Sequence, residues 1–121
     1  MMPVKILRTF PFAIALFSGG CYYDIEEELY PDSFCDTENV TWTADVQPLI
    51  SSNCAISGCH VSGAQTPDLS TYAGAKAAAD VGAILARAIN GDPSPMPPNG
   101  LLPNCDRQTL KAWLDAGAPN N

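Results

Sequence analysis

The sequence predicts a small all-α domain of three to five short helices, and three observations support this fold class. Apolar residues recur at helical spacing in three segments after Trp42, and no stretch alternates long enough to form a strand. Prolines also crowd between Pro93 and Pro98, which excludes regular structure there. A length of 121 residues predicts one domain, which we place at residues 35–121.

The first 20 residues have the layout of a secretory signal peptide. Lys5 and Arg8 precede an apolar run over residues 10–17, which is too short to span a bilayer and is followed by small residues. Cys21 comes next, and this order resembles a bacterial lipobox, which implies cleavage before Cys21 and lipid on its thiol. We therefore expect export and a lipid anchor in the cell envelope, on the periplasmic or the surface face. Ordinary cleavage without lipid is the alternative.

Residues 21–34 are interpreted as an acidic tether, because they lack the periodic apolar residues that could bury a face. The chain after the leader has four basic residues against 13 acidic ones, a net charge of −9. This balance argues against nucleic acid, whose phosphates require lysine and arginine. It favours docking to a basic patch on a partner protein.

Two helical segments are predicted between Trp42 and Asn90. Val46, Leu49 and Ile50 form one face of the first segment. Pro48 favours Asp45 over Thr43 as the cap, because an Asp45 cap places the proline in the first turn, where a backbone N–H would have no helical partner. Ser70 or Thr71 is expected to open the next helix, which runs through Ala79. An apolar stripe follows, formed by Val81, Ile84, Leu85, Ala88 and Ile89.

The last helix follows the proline-rich loop. Asp106 is expected to cap it, and Gly117 and Pro119 to end it. Its apolar face consists of Leu110, Trp113 and Leu114.

The segment from Cys54 to His60 places two thiols beside the only histidine of the chain. In the haem attachment motif C-x-x-C-H, each thiol adds to a porphyrin vinyl group and the following histidine coordinates iron. Here four residues separate Cys54 from Cys59, and Gly58 can supply the backbone angles that the larger loop needs. Two other assignments stay open: a local Cys54–Cys59 disulfide, and a zinc site, which the adjacency of Cys59 and His60 disfavours.

Met96 is the only methionine after the leader, and it lies within Pro95-Met96-Pro97-Pro98. Iron in electron-carrier cytochromes is commonly held by one histidine and one methionine, whose thioether raises the reduction potential. One haem with His60 and Met96 as axial ligands accounts for both residues. A gap-filling role for Met96, or a docking role for the prolines, is the alternative.

The order of first helix, cysteine pair with histidine, methionine loop and terminal helix resembles class I cytochromes c from Trp42 to Asn121. It looks closest to the short monohaem cytochrome domains of bacterial lipoproteins. The segments that carry this resemblance are Val46-Gln47-Pro48-Leu49, Met96-Pro97-Pro98 and Trp113-Leu114-Asp115-Ala116-Gly117-Ala118. The widened cysteine spacing departs from the family pattern.

The resemblance implies a structure and a function. The first and last helices are expected to cross beside the haem, with Trp42, Leu49, Leu110 and Trp113 as packing residues. This crossing brings the helix starts together and implies a Cys35–Cys105 disulfide. The implied function is transfer of single electrons by one covalent haem c to a redox partner protein, with no substrate transformed. In this scheme Cys54 and Cys59 tether the porphyrin, His60 is the proximal ligand and Met96 the distal one.

Two rival functions remain at this point. A monohaem peroxidase needs an open sixth coordination position, which Met96 would block, and polar distal groups such as a second histidine. A haem-free surface lipoprotein with two disulfides would serve instead as an interaction module.

Overall fold

The computed structural model describes Tyr30 and residues 33–121. The expected signal peptide, the lipid attachment at Cys21 and most of the acidic tether lie outside the described residues. Within the described part, no helix is both long and apolar enough to cross a membrane.

The described residues form helices and no strand, which confirms the predicted all-α class. A π-helical turn leads directly into the first α-helix, and a second π-helical segment precedes the proline-rich loop. In chain order the elements are the first π-helical turn Trp42–Val46, α1 Gln47–Asn53, α2 Tyr72–Asp80, the second π-helical segment Leu85–Asn90 and α3 Asn104–Asp115.

The N-cap of the first π-helical turn is Thr41, four residues before the expected cap. The Thr41 hydroxyl accepts a hydrogen bond from the Ala44 amide at 3.1 Å, and the Asp45 carboxylate accepts one from the Thr41 amide at 2.7 Å. These reciprocal bonds are a capping box, drawn out by one residue because the opening turn is π-helical. The expectation that Asp45 is the cap was therefore wrong. Pro48 still lies in the first turn of α1, as predicted.

Helix α2 begins where the sequence indicates, since Thr71 is its cap and accepts a hydrogen bond from the Gly74 amide at 3.2 Å. Glycine is required at position 74, because a Cβ there would lie 1.8 Å from the Asp68 carbonyl oxygen. Asp68 also forms an Asx turn that leads into the helix, with its carboxylate accepting the Ser70 amide at 2.9 Å.

The expected apolar stripe after α2 is only partly buried. Ile84 and Ala88 belong to the core, whereas Val81 is 80% exposed and Leu85 is 43% exposed. Val81 lies in the turn that ends α2, where Gly82 has a φ of +75°, so it does not share a helix face with Ile84. The sequence predicted one apolar stripe from Val81 to Ile89, and this turn separates Val81 from the rest of it.

Helix α3 starts three residues earlier than expected. Pro103 is its N-cap residue and makes no side-chain cap bond, so the assignment of Asp106 as the cap was wrong. Asp106 lies in the first turn instead, where a carboxylate interacts favourably with the helix dipole. The helix ends at Asp115, and Gly117 follows with a φ of +87°, as the sequence predicts.

Two tryptophans join the first and last helices. The Trp42 and Trp113 rings lie 5.4 Å apart between centroids, and Trp113 and Leu110 are almost completely buried. Tyr72 of α2 meets Trp42 edge to face, also at 5.4 Å. Leu49 packs against this core from a partly buried position. The four expected packing residues thus lie at the core or against it.

Both ends of the domain are linked to the region where the first and last helices meet. Cys35 and Cys105 form the disulfide that the resemblance implies, across 70 residues of sequence. Closing a loop of that length stabilises the fold by roughly 4 kcal/mol in the chain-entropy view. At the other end, the Asn121 side-chain oxygen accepts the Trp42 amide at 2.8 Å, and its backbone oxygen accepts the Thr43 amide at 3.0 Å.

We predict that Thr41→Ala lowers the free energy of unfolding by about 1 kcal/mol, the usual cost of a lost N-cap. The variant leaves the Ala44 amide without its partner and breaks the capping box. Denaturant titration of the variant against the unchanged protein measures the effect. Ser51→Ala is the matched control, because Ser51 is exposed within α1 and the change should be neutral or slightly stabilising.

Candidate functional site

The loop between Cys54 and His60 folds back on the end of α1. Cys54 is the residue that ends this helix, its amide donating to the Ile50 carbonyl at 2.8 Å. The His60 amide then donates to the Cys54 carbonyl at 3.0 Å, and the Cys59 amide to the Ile56 carbonyl at 2.9 Å. Gly58 has a φ of +80°, which confirms the conformation expected for it. These bonds place both thiols and the imidazole at one end of α1.

The His60 imidazole is oriented by a carbonyl group seven residues further on. Its Nδ1 lies 2.8 Å from the Pro67 carbonyl oxygen, and because a carbonyl oxygen can only accept, Nδ1 carries the proton of this hydrogen bond. That tautomer leaves Nε2 with a free lone pair, which is the arrangement of most metal-ligating histidines. The His60 carbonyl is held as well, because it accepts the Leu69 amide at 2.9 Å.

A cavity of about 280 Å³ opens beside this loop. Its walls are mostly aliphatic, and they come from α1, α2, the second π-helical segment and the loops between them. The lining residues include Ile50, Leu69, Ala78, Ala83, Ile84 and Ala88, together with Cys54, His60, Thr66, Pro67, Arg87 and Met96. Three of the four predicted cofactor residues, Cys54, His60 and Met96, therefore line one cavity. The fourth, Cys59, directly precedes His60 in the sequence but is not among the lining residues.

Met96 is brought to the cavity by a backbone contact across the proline-rich loop. Its amide donates to the Arg87 carbonyl at 3.0 Å, which fastens the loop to the second π-helical segment. The side chain is half-buried rather than packed in the core, so the gap-filling alternative describes it poorly. Met96 lies 36 residues after His60 in the sequence, and in the fold both residues line the same cavity.

The two loop cysteines are free thiols, whereas Cys35 and Cys105 are joined. Burial raises the pKa of the Cys54 thiol, and the nearby charge of Cys59 raises that pKa further. A raised pKa keeps Cys54 protonated at neutral pH. Among the described residues, no group of three or more His, Cys, Asp or Glu side chains is placed to hold a metal ion.

Sequence reasoning missed two residues of this site. Pro67 orients His60 through its backbone carbonyl. Every residue has such a carbonyl, so the residue type at position 67 does not reveal this role. Arg87 lines the cavity, and its Nε is buried with no hydrogen-bond partner among the described residues. A signal for Arg87 does exist, because it is the only charged residue between Val81 and Asn90.

Comparison with protein-family models, with curated proteins and with solved structures finds no match for this chain.

We predict that Gly58→Ala destabilises the protein by about 1 to 2 kcal/mol, the cost of a left-handed backbone angle for a residue with a Cβ. No atom lies within 4 Å of the Cβ position, so backbone strain alone is being measured. Gly58→Asn should cost less, because asparagine tolerates this conformation. Denaturant titration separates the two, and equal stability of all three proteins would contradict the loop geometry described above.

Proposed function

We propose that this protein binds one covalent c-type haem and transfers single electrons. The observation that carries the proposal is the set of donors in one largely aliphatic cavity: the Cys54 thiol, the His60 imidazole and the Met96 thioether. Aliphatic walls suit the porphyrin faces, and imidazole with thioether is a common ligand pair for iron in electron carriers.

The residues present fit this group in three respects. Cys54 and Cys59 are unpaired thiols, so both are available to add to vinyl groups. His60 has its Nδ1 engaged by the Pro67 carbonyl and its Nε2 available as a ligand. None of the residues that line the cavity is acidic, so nothing there competes as a hard oxygen ligand.

Each chain residue has a defined task in this function. The two cysteines would hold the porphyrin through thioether bonds, and His60 and Met96 would coordinate iron from Nε2 and the thioether sulfur. The Pro67 carbonyl fixes the orientation of the His60 ring through the hydrogen bond. With the porphyrin bound, the aliphatic walls would shield its faces from water. The bound haem supplies the redox chemistry, in which iron alternates between its ferric and ferrous states.

The cellular setting belongs to the same proposal. The leader and Cys21 support export and lipid anchoring in the envelope, where covalent haem and disulfides persist. The acidic surface supports a redox partner protein with a basic docking patch, whose approach would weaken as salt screens the charges.

We predict that the double variant Cys54→Ser with Cys59→Ser, made in a host that attaches haem, loses all haem that survives denaturation. Each single variant keeps one thioether and should retain stain, while Ser57→Ala in the same loop serves as the control. Haem staining of denatured protein reads the result. Retention of covalent haem by the double variant would refute the assignment of the thiols.

We predict that Met96→Ala abolishes the weak near-infrared absorption band of sulfur-ligated ferric haem. The reduction potential should fall as well, because the thioether favours ferrous iron. Leu101→Ala is the matched control, since Leu101 lies in the same loop but is 41% exposed and outside the cavity lining. An unchanged band in the Met96 variant would show that another group ligates the iron.

A further inference from the structure

Arg87 is the one lining residue of the cavity that carries a permanent charge. Its Nε is inaccessible to solvent and has no hydrogen-bond partner among the described residues. The ion pairs of the described part join Lys76 to Asp80 and Lys111 to Asp115, and neither includes Arg87. A buried donor on a charged group is rarely left unpaired in a native protein, so a partner supplied by a ligand is the expected explanation.

The chemistry of the cavity narrows the choice of that ligand group. The other lining residues include no aspartate or glutamate, so no side-chain carboxylate faces the guanidinium from the walls. A guanidinium presents planar donors that match a carboxylate better than any neutral acceptor. The missing partner is therefore a carboxylate that enters together with a mainly apolar molecule, and the porphyrin propionates have this chemistry.

We propose that Arg87 binds a propionate carboxylate of the porphyrin, an inference that rests on the haem function proposed above. Arg87 then acts at two points as a positioning residue. Its carbonyl oxygen holds the Met96 amide at 3.0 Å, while its side chain neutralises the carboxylate inside the cavity. Because only the side chain changes in a substitution, the two roles can be separated.

The first measurement uses the unchanged haem-bearing protein in its reduced, diamagnetic state. We expect nuclear Overhauser contacts between the Arg87 Nε proton and the propionate methylene protons, and slow exchange of that proton with solvent. Haem staining is scored beforehand: a protein with no covalent haem overturns the proposed function itself, whereas haem without these contacts overturns only the Arg87 assignment. If the Arg87 Nε resonance shifts only when acetate is added, the guanidinium binds a free carboxylate and not a propionate, and this result also overturns the Arg87 assignment.

The second measurement compares reduction potentials among variants. Arg87→Gln leaves the propionate charge uncompensated, which stabilises ferric iron, so the potential should fall. Arg87→Lys keeps the charge and should restore most of the difference. Lys111→Gln removes the same charge from the exposed surface, where solvent screens it, and should change the potential far less. Equal shifts for Arg87→Gln and Lys111→Gln would overturn the proposal, as would no shift in either.

Discussion

The contact between Trp42 and Trp113 is the interaction on which the rest of the structure depends. It joins the helix that carries the cysteine loop to the last helix of the chain, and the disulfide and Asn121 act on the same junction. With Trp42 and Val46 buried on this side, Ile50 and Cys54 at the far end of α1 are left to line the cavity. A domain of fewer than 100 residues struggles to build a large core, and a buried cofactor can supply the missing apolar contact.

The proposed electron transfer depends on the positions of a few donor groups, those of Cys54, His60 and Met96, in an otherwise largely aliphatic cavity. His60 is held by the Pro67 carbonyl, and Met96 is held through its amide by the Arg87 carbonyl. Backbone carbonyls thus hold the His60 ring and the Met96 main chain, and these are the two residues proposed as ligands. Ligands held in this way would suit electron transfer, in which the coordination sphere should change little between oxidation states.

The sequence predicted the helical class, a start of α2 at Ser70 or Thr71 and the unusual backbone angles of Gly58, because each depends on local rules of spacing and backbone angle. The N-caps Thr41 and Pro103 were not predicted. Thr41 caps a π-helical turn, which places the cap earlier than α-helical spacing indicates, and Pro103 precedes α3 without a side-chain cap bond that residue type could reveal.

The site divides in the same way. Its cysteines, histidine and methionine could be named from residue type, and only the fold could show that Cys54, His60 and Met96 share a cavity. The roles of Pro67 and Arg87 depend on tertiary contacts, which helical spacing does not encode.

The most direct test of the proposed haem attachment is the mass of the peptide spanning Cys54 to His60 in protein from its own cell. The account predicts the peptide mass plus one haem, and a peptide lighter by two hydrogens, with the sulfurs joined to each other, would contradict it.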